Sequence, residues 1–214
     1  MQAALSALTS AHPPLAEARR IAGALPDRRR AGGFAALLML IVEQQVSIAS
    51  ARAIWGRMLQ GIDPMDAETV ATLSSEELCG LGLSRPKARY ALALAEAVLS
   101  GDLPLERLHE HSDDEAMAAL TSVTGIGQWT AEVYLLFSLG RTDVFPAGDV
   151  ALQAAAGDIL GLPDRPNAKE LAALAENWRP HRGVAAQLLW RYYGVTRGRA
   201  DPVAVDHPLQ ETGT

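Results

Sequence analysis

Cysteine is almost absent: Cys79 is the only one in 214 residues. That excludes an internal disulfide framework, a cysteine metal site and an iron–sulfur cluster built from the chain's own ligands. It also fits a reducing compartment. Lysine is scarce, with only Lys87 and Lys169, so positive charge is carried by arginine. Long apolar runs are missing as well. The longest, Phe34 to Val42, falls far short of the roughly 20 residues that cross a bilayer. The first residues lack a basic start followed by an apolar stretch, so no signal peptide is read there. These absences lead us to expect a soluble, cytoplasmic protein with no membrane partner. Net positive charge is also lacking. The formal balance is −6, which by itself argues against a nucleic-acid partner.

What is present softens that objection. Acids gather in Asp63–Glu77 and Asp102–Glu115, while arginines cluster at Arg28–Arg30, around Arg85, Lys87 and Arg89, and from Arg179 to Arg199. Such a chain can present a basic face opposite an acidic one, or merely an ordinary mixed surface. An apolar fraction of 49% is enough to fill a core.

The pattern along the chain is helical throughout, without strand alternation or a long repeat. Helices are predicted at Pro14–Leu25 and over Phe34–Gln60, the latter interrupted at Gln44-Gln45-Val46-Ser47, where Ser47 suits an N-cap. Further helices are predicted at Ala67–Leu73, Ser75–Leu81, Pro86–Leu99, Pro104–His109, Asp113–Thr121 and Gln128–Leu139, then from Asp149, and at Ala168–Asn177 and Arg182–Tyr193. The fold class is all-α. Residues 199–214 read as a polar C-terminal tail.

The stretch from Leu120 to Leu152 carries most of the chemistry. Gly125-Ile126-Gly127 forms a tight turn between two helices, where glycine permits positive φ and close approach of another molecule. The backbone N–H groups beyond it open a helix whose dipole favours an anion, so a DNA phosphate can bind there without net positive charge. Alone, the turn is equally an αα-hairpin with a glycine cap. Asp149, one short loop further on, is by itself an ordinary N-cap. A carboxylate in that place is also able to stabilise an oxocarbenium-like sugar or guide water to it. Trp129 reads as core packing, or as an electron-rich face for a cationic base. Gln44 and Gln45 read as a polar helix junction.

Taken together, Gly125-Ile126-Gly127-Gln128-Trp129-Thr130-Ala131 and Asp143-Val144-Phe145-Pro146-Ala147-Gly148-Asp149 resemble the helix-hairpin-helix superfamily of base-excision DNA glycosylases. The likeness is greatest to the 3-methyladenine DNA glycosylase II group. It extends to Gln44-Gln45-Val46-Ser47, to Trp178-Arg179-Pro180-His181-Arg182 and to Trp190, covering roughly residues 30 to 195.

The resemblance implies two helical lobes, about 30–120 and 121–195, with a DNA- and base-binding cleft between them. It implies Asp149 as the catalytic carboxylate and Gly125, Gly127 and Thr130 as phosphate contacts. Gln44 and Gln45 fall in the loop that enters the duplex. Trp129, Val133, Phe145 and His181 fall at the base pocket. No cofactor is implied for catalysis, but a Na⁺ or K⁺ ion is implied on the backbone carbonyls of Thr121, Val123 and Ile126. Strand-cutting members place a lysine where this chain has Trp129, so base removal without strand cleavage is expected. The missing cysteines argue against the branches that carry an iron–sulfur cluster. Departures matter too. Val133 and His181 replace aromatic residues, implying a more open pocket, Thr124 stands where proline is common, and no extra N-terminal sheet domain is expected.

The expected partner is double-stranded DNA with damaged bases, bound by a monomer associated with the nucleoid. Competing readings are a non-catalytic hairpin DNA-binding protein, a glycosylase for oxidised or deaminated bases, and an all-α interaction scaffold.

Overall fold

The computed structural model describes residues 1–198, so the expected tail lies outside the described residues. The described chain is all-α, as expected, with no strand among those residues. It opens with α1 (Gln2–Ala11) and α2 (Pro13–Ala22). Next come α3 (Phe34–Glu43), α4 (Ile48–Gly61), α5 (Ala67–Ala71), α6 (Ser75–Gly80) and α7 (Arg85–Ser100). After a 3₁₀ turn at Leu105–Glu110 follow α8 (Asp113–Ser122) and α9 (Gln128–Phe137). The last are α10 (Val150–Leu160), α11 (Ala168–Ala175) and α12 (Arg182–Arg197).

Local chemistry explains most boundaries. Ser47 caps α4 by accepting the Ser50 N–H at 3.1 Å. Ser74 and Ser112 open α6 and α8 with capping boxes closed by Glu77 and Glu115. The helix α1 was not expected. His12 divides it from α2 because a residue before proline disfavours helical geometry, and His12 is extended (φ −128°, ψ 95°).

The chain forms two compact units, and their division differs from the expectation. One comprises residues 1–29 with those from Gly140 onward; the other comprises residues 30–139. The boundary therefore falls after Leu139 rather than near residue 120. The hairpin α8–α9 belongs with α3–α7, and α1–α2 belong with α10–α12.

In the 30–139 unit, α3 packs against α4, α7 and α9. Ala36 to Val42 are all buried, so α3 is a core helix, apolar on every side. Burying each large aliphatic side chain contributes about 1.5–3 kcal/mol. The small residues Ala88, Ala91 and Ala95 of α7 are fully buried. Tyr134 of α9 accepts the Gly33 N–H at 2.9 Å, which fixes the start of α3.

In the other unit, α2 and α10 pack on α12 around Leu15, Leu152, Leu188 and Trp190. Arg28 is 2% exposed and donates to the Gln187 carbonyl at 3.1 Å. Burial, with Arg191 nearby, lowers its pKa to about 10.

Candidate functional site

Within the 30–139 unit, α8 and α9 are joined by a turn in which the Ile126 N–H donates to the Val123 carbonyl at 3.0 Å. Gly125 has φ +98°, and a Cβ there would overlap the Tyr90 ring of α7. Glycine is thus required twice, by backbone conformation and by packing. Gly127 differs. Its φ is −84° and a Cβ would meet nothing within 4 Å, so the protein itself does not demand glycine there. No side chain caps the start of α9.

The loop after α3 meets this turn. The Gln44 amide Nε2 donates to the Gly125 carbonyl at 3.0 Å and to Thr130 Oγ1 at 3.1 Å. Gln45 is exposed and takes φ +55°, the one positive value at a non-glycine residue among those described. Two anchors hold the end of α3 just before it. Arg30 bonds Glu43 at 2.8 Å, and Lys87 Nζ donates to the Val42 carbonyl at 2.7 Å. Loop and turn border an open groove of about 670 Å³, lined also by Tyr90, Thr121, Val123, Ile126 and Trp129.

The catalytic candidate lies in the other unit. Asp149 caps α10, its Oδ1 accepting the N–H groups of Ala151 and Leu152 at 2.8 and 3.0 Å. The side chain is half-buried. The loop leading to it is stapled twice. Gln153, 7% exposed, donates to the Ala147 carbonyl at 2.9 Å. Upstream, Asp143 accepts Arg179 at 2.6 Å and the Arg182 guanidinium and N–H at 3.1–3.2 Å. Glu176 completes that cluster, and a hydrogen bond from Arg179 holds its carboxyl below the usual value.

Several expected roles change. Gln44, expected in the loop that enters the duplex, is tied by its amide to the hairpin. Thr130 is 4% exposed with its hydroxyl engaged by Gln44, so it is poorly placed for a phosphate. Val133 has no accessible surface and belongs to the core. Phe145 is buried edge-on against Trp178, ring centres 5.6 Å apart. Trp129 is half-exposed at the groove. His181 is half-buried, and its Nδ1 has no hydrogen-bond partner.

Several members of the arginine runs are buried or neutralised, which favours the mixed surface over a basic face. Arg28 is buried, Arg29 pairs with Asp27, Arg30 with Glu43, and Arg197 with Asp158. Tyr90, Lys87 and Gln153 were not anticipated. Asp143 and Arg182 stood inside the recognised motifs, but nothing local shows that they pair.

A family model described as the HhH-GPD superfamily of base excision DNA repair proteins matches residues 38–180. The chain belongs to that superfamily. Among HhH-GPD relatives, a putative DNA-3-methyladenine glycosylase of Bacillus subtilis is 29% identical over 163 residues, covering 72% of this chain. This chain spans only 57% of that relative's length. The crystal structure of a DNA-3-methyladenine glycosidase from Bacillus halodurans is similar with TM-score 0.79 and 34% identity, covering 92% of this chain and 91% of the other. A Schizosaccharomyces pombe 3-methyladenine DNA glycosylase in complex with abasic DNA follows at TM-score 0.78 and 27% identity, covering 92% and 98%.

Proposed function

We propose that this HhH-GPD chain is a monofunctional DNA glycosylase for alkylated bases of the 3-methyladenine type. In this reading it acts as a monomer on damaged duplex DNA of the nucleoid, in the cytoplasm. The observation that carries it is Asp149, held at the N-terminus of α10 by two backbone N–H groups, on a loop braced by Gln153 and the Asp143 cluster. A fixed carboxylate there stabilises the positive charge that develops on the sugar as the N-glycosidic bond breaks, and guides water to it. An alkylated base that already carries positive charge leaves without a general acid. Damaged bases also pair poorly, so they are turned out of the duplex at lower cost.

The groove of the 30–139 unit supplies the grip. A backbone phosphate fits the uncapped start of α9, where Gly127 leaves room for close approach. Gln45 is the side chain that enters the duplex. Trp129 carries no amine, so no Schiff base forms and the strand stays intact. Its indole face suits a cationic base, and His181 serves as a base or phosphate contact. A Na⁺ or K⁺ ion is held by the carbonyls of Thr121, Val123 and Ile126 in this reading. All three residues line the groove, and the Val123 oxygen, accepting one bond from Ile126, keeps a second lone pair. Such an ion adds positive charge for the phosphate.

The test is incubation with methylated duplex DNA, scoring released bases and strand breaks before and after alkali. Release of 3-methyladenine with breaks only after alkali is expected. DNA binding without release of any alkylated base refutes the proposal.

A further inference from the structure

The helix α7 begins with three basic residues whose fates diverge. Lys87 turns inward to the Val42 carbonyl. Arg85 and Arg89, four residues apart and so on one face of the helix, remain exposed. They border a second hollow, of about 580 Å³, with Ser75, Glu76 and Cys79 of α6. Among the described residues neither arginine has a carboxylate partner. Elsewhere in this chain of net charge −6, Arg30, Arg179, Arg182 and Arg197 are all matched by acids.

Two guanidinium groups without counter-ions, set against one acid in an open hollow, are suited to a phosphate. The first turn of the 16-residue α7 adds the positive end of its dipole. The same helix also presents Tyr90, next to Arg89, to the hairpin groove, so α7 is a wall of both depressions. We infer that the hollow between α6 and α7 binds a backbone phosphate of duplex DNA, a second contact on the same unit as the hairpin. This rests on the reading of the chain as a glycosylase acting on duplex DNA.

Cys79 is the only thiol in the chain and is half-exposed in this hollow, which makes it a reporter. The full-length protein is titrated with duplex DNA bearing an abasic-site analogue over a range of salt, and its labelling by a maleimide is timed with and without that duplex. Arg85→Ala with Arg89→Ala is expected to make the slope of log K against log salt shallower by about 0.9, the loss of one phosphate contact. Arg85→Lys with Arg89→Lys is expected to keep the parent slope. The duplex is expected to slow labelling of Cys79 in the parent but not in the double alanine variant. An unchanged slope, or labelling of the parent unaffected by DNA, overturns the inference. Because the footprint is read on the parent chain, that result stands whether or not a variant folds. If the parent excises alkylated bases while either result fails, the inference alone falls. If the parent neither binds nor excises, the glycosylase reading falls with it.

Discussion

Gln44 ties the loop after α3 to the hairpin by donating from Nε2 to the Gly125 carbonyl at 3.0 Å. The same amide reaches Thr130, so one side chain couples the segment expected to enter DNA to the segment expected to hold its phosphate. The neighbouring glutamines therefore have separable roles.

Gln44→Ala removes both bonds and leaves part-buried acceptors unpaired, so it is expected to cost about 1–3 kcal/mol of stability, read by denaturant unfolding. Gln45→Gly tests the other role. It relieves a left-handed residue, worth about 1–2 kcal/mol, while adding the entropy cost of glycine, about 0.5–1 kcal/mol. Stability is thus expected to stay close to the parent's while excision slows. Equal excision by parent and Gln45→Gly would show that the Gln45 side chain does not enter the duplex.

The two hairpin glycines separate folding from binding. Gly125→Ala forces a left-handed alanine into the Tyr90 ring and is expected to destabilise by about 2–3 kcal/mol. Gly127→Ala meets open space at an ordinary φ, so melting is expected to be unchanged or slightly higher. DNA affinity of Gly127→Ala is nonetheless expected to fall several-fold, because its methyl group occupies the path of the phosphate. Unchanged affinity in a fluorescence titration would move the phosphate elsewhere.

Helix positions were legible because their signals are local. Ser47, Asp149 and the Gly125–Gly127 turn announce themselves within a few residues, and the all-apolar Phe34–Val42 declares a buried helix. Burial and pairing at long range were not legible. Nothing near Arg28 marks it as internal, and nothing near Asp143 points to Arg182, 39 residues later. The choice between a basic face and a mixed surface stayed open for that reason, since runs of arginine do not reveal which members find acids. The division into units was misplaced for a related reason. It depends on α1–α2 packing with α10–α12, which no motif encodes.

Asp149 serves both fold and chemistry in the proposed reading, and two substitutions divide these roles. Asparagine caps helices about as well as aspartate, so Asp149→Asn is expected to leave melting and DNA affinity near the parent's while abolishing excision. Asp149→Ala is expected to lose excision and also about 1 kcal/mol of stability. Single-turnover release of methylated bases, with parallel melting curves, checks both. Substantial excision by Asp149→Asn would remove this carboxylate from the mechanism.

Lys87 places a charge against the end of α3, immediately before the Gln44 loop. Its Nζ satisfies the Val42 carbonyl, one of the orphan acceptors at a helix C-terminus. Burial lowers its pKa, since desolvation disfavours the ammonium form. The sign of the pH dependence follows. Below the folded value both states are protonated, and the folded protein bears the full cost of the buried charge. As pH climbs through that value toward the ordinary lysine pKa of about 10.4, the unfolded chain holds more protons, so stability from this group rises. The Lys87→Met variant lacks that titration. It is therefore expected to be less stable than the parent by about 1 kcal/mol near neutral pH, having left the Val42 carbonyl without its donor. The difference should widen as pH rises from the folded value through the ordinary lysine pKa of about 10.4, and level off only above it, once the unfolded chain too has lost the proton. Denaturant unfolding of both proteins across that range measures it. A difference that stays constant or narrows would mean that Lys87 is not held in its charged form at a cost, and that its bond to Val42 is the whole of its contribution.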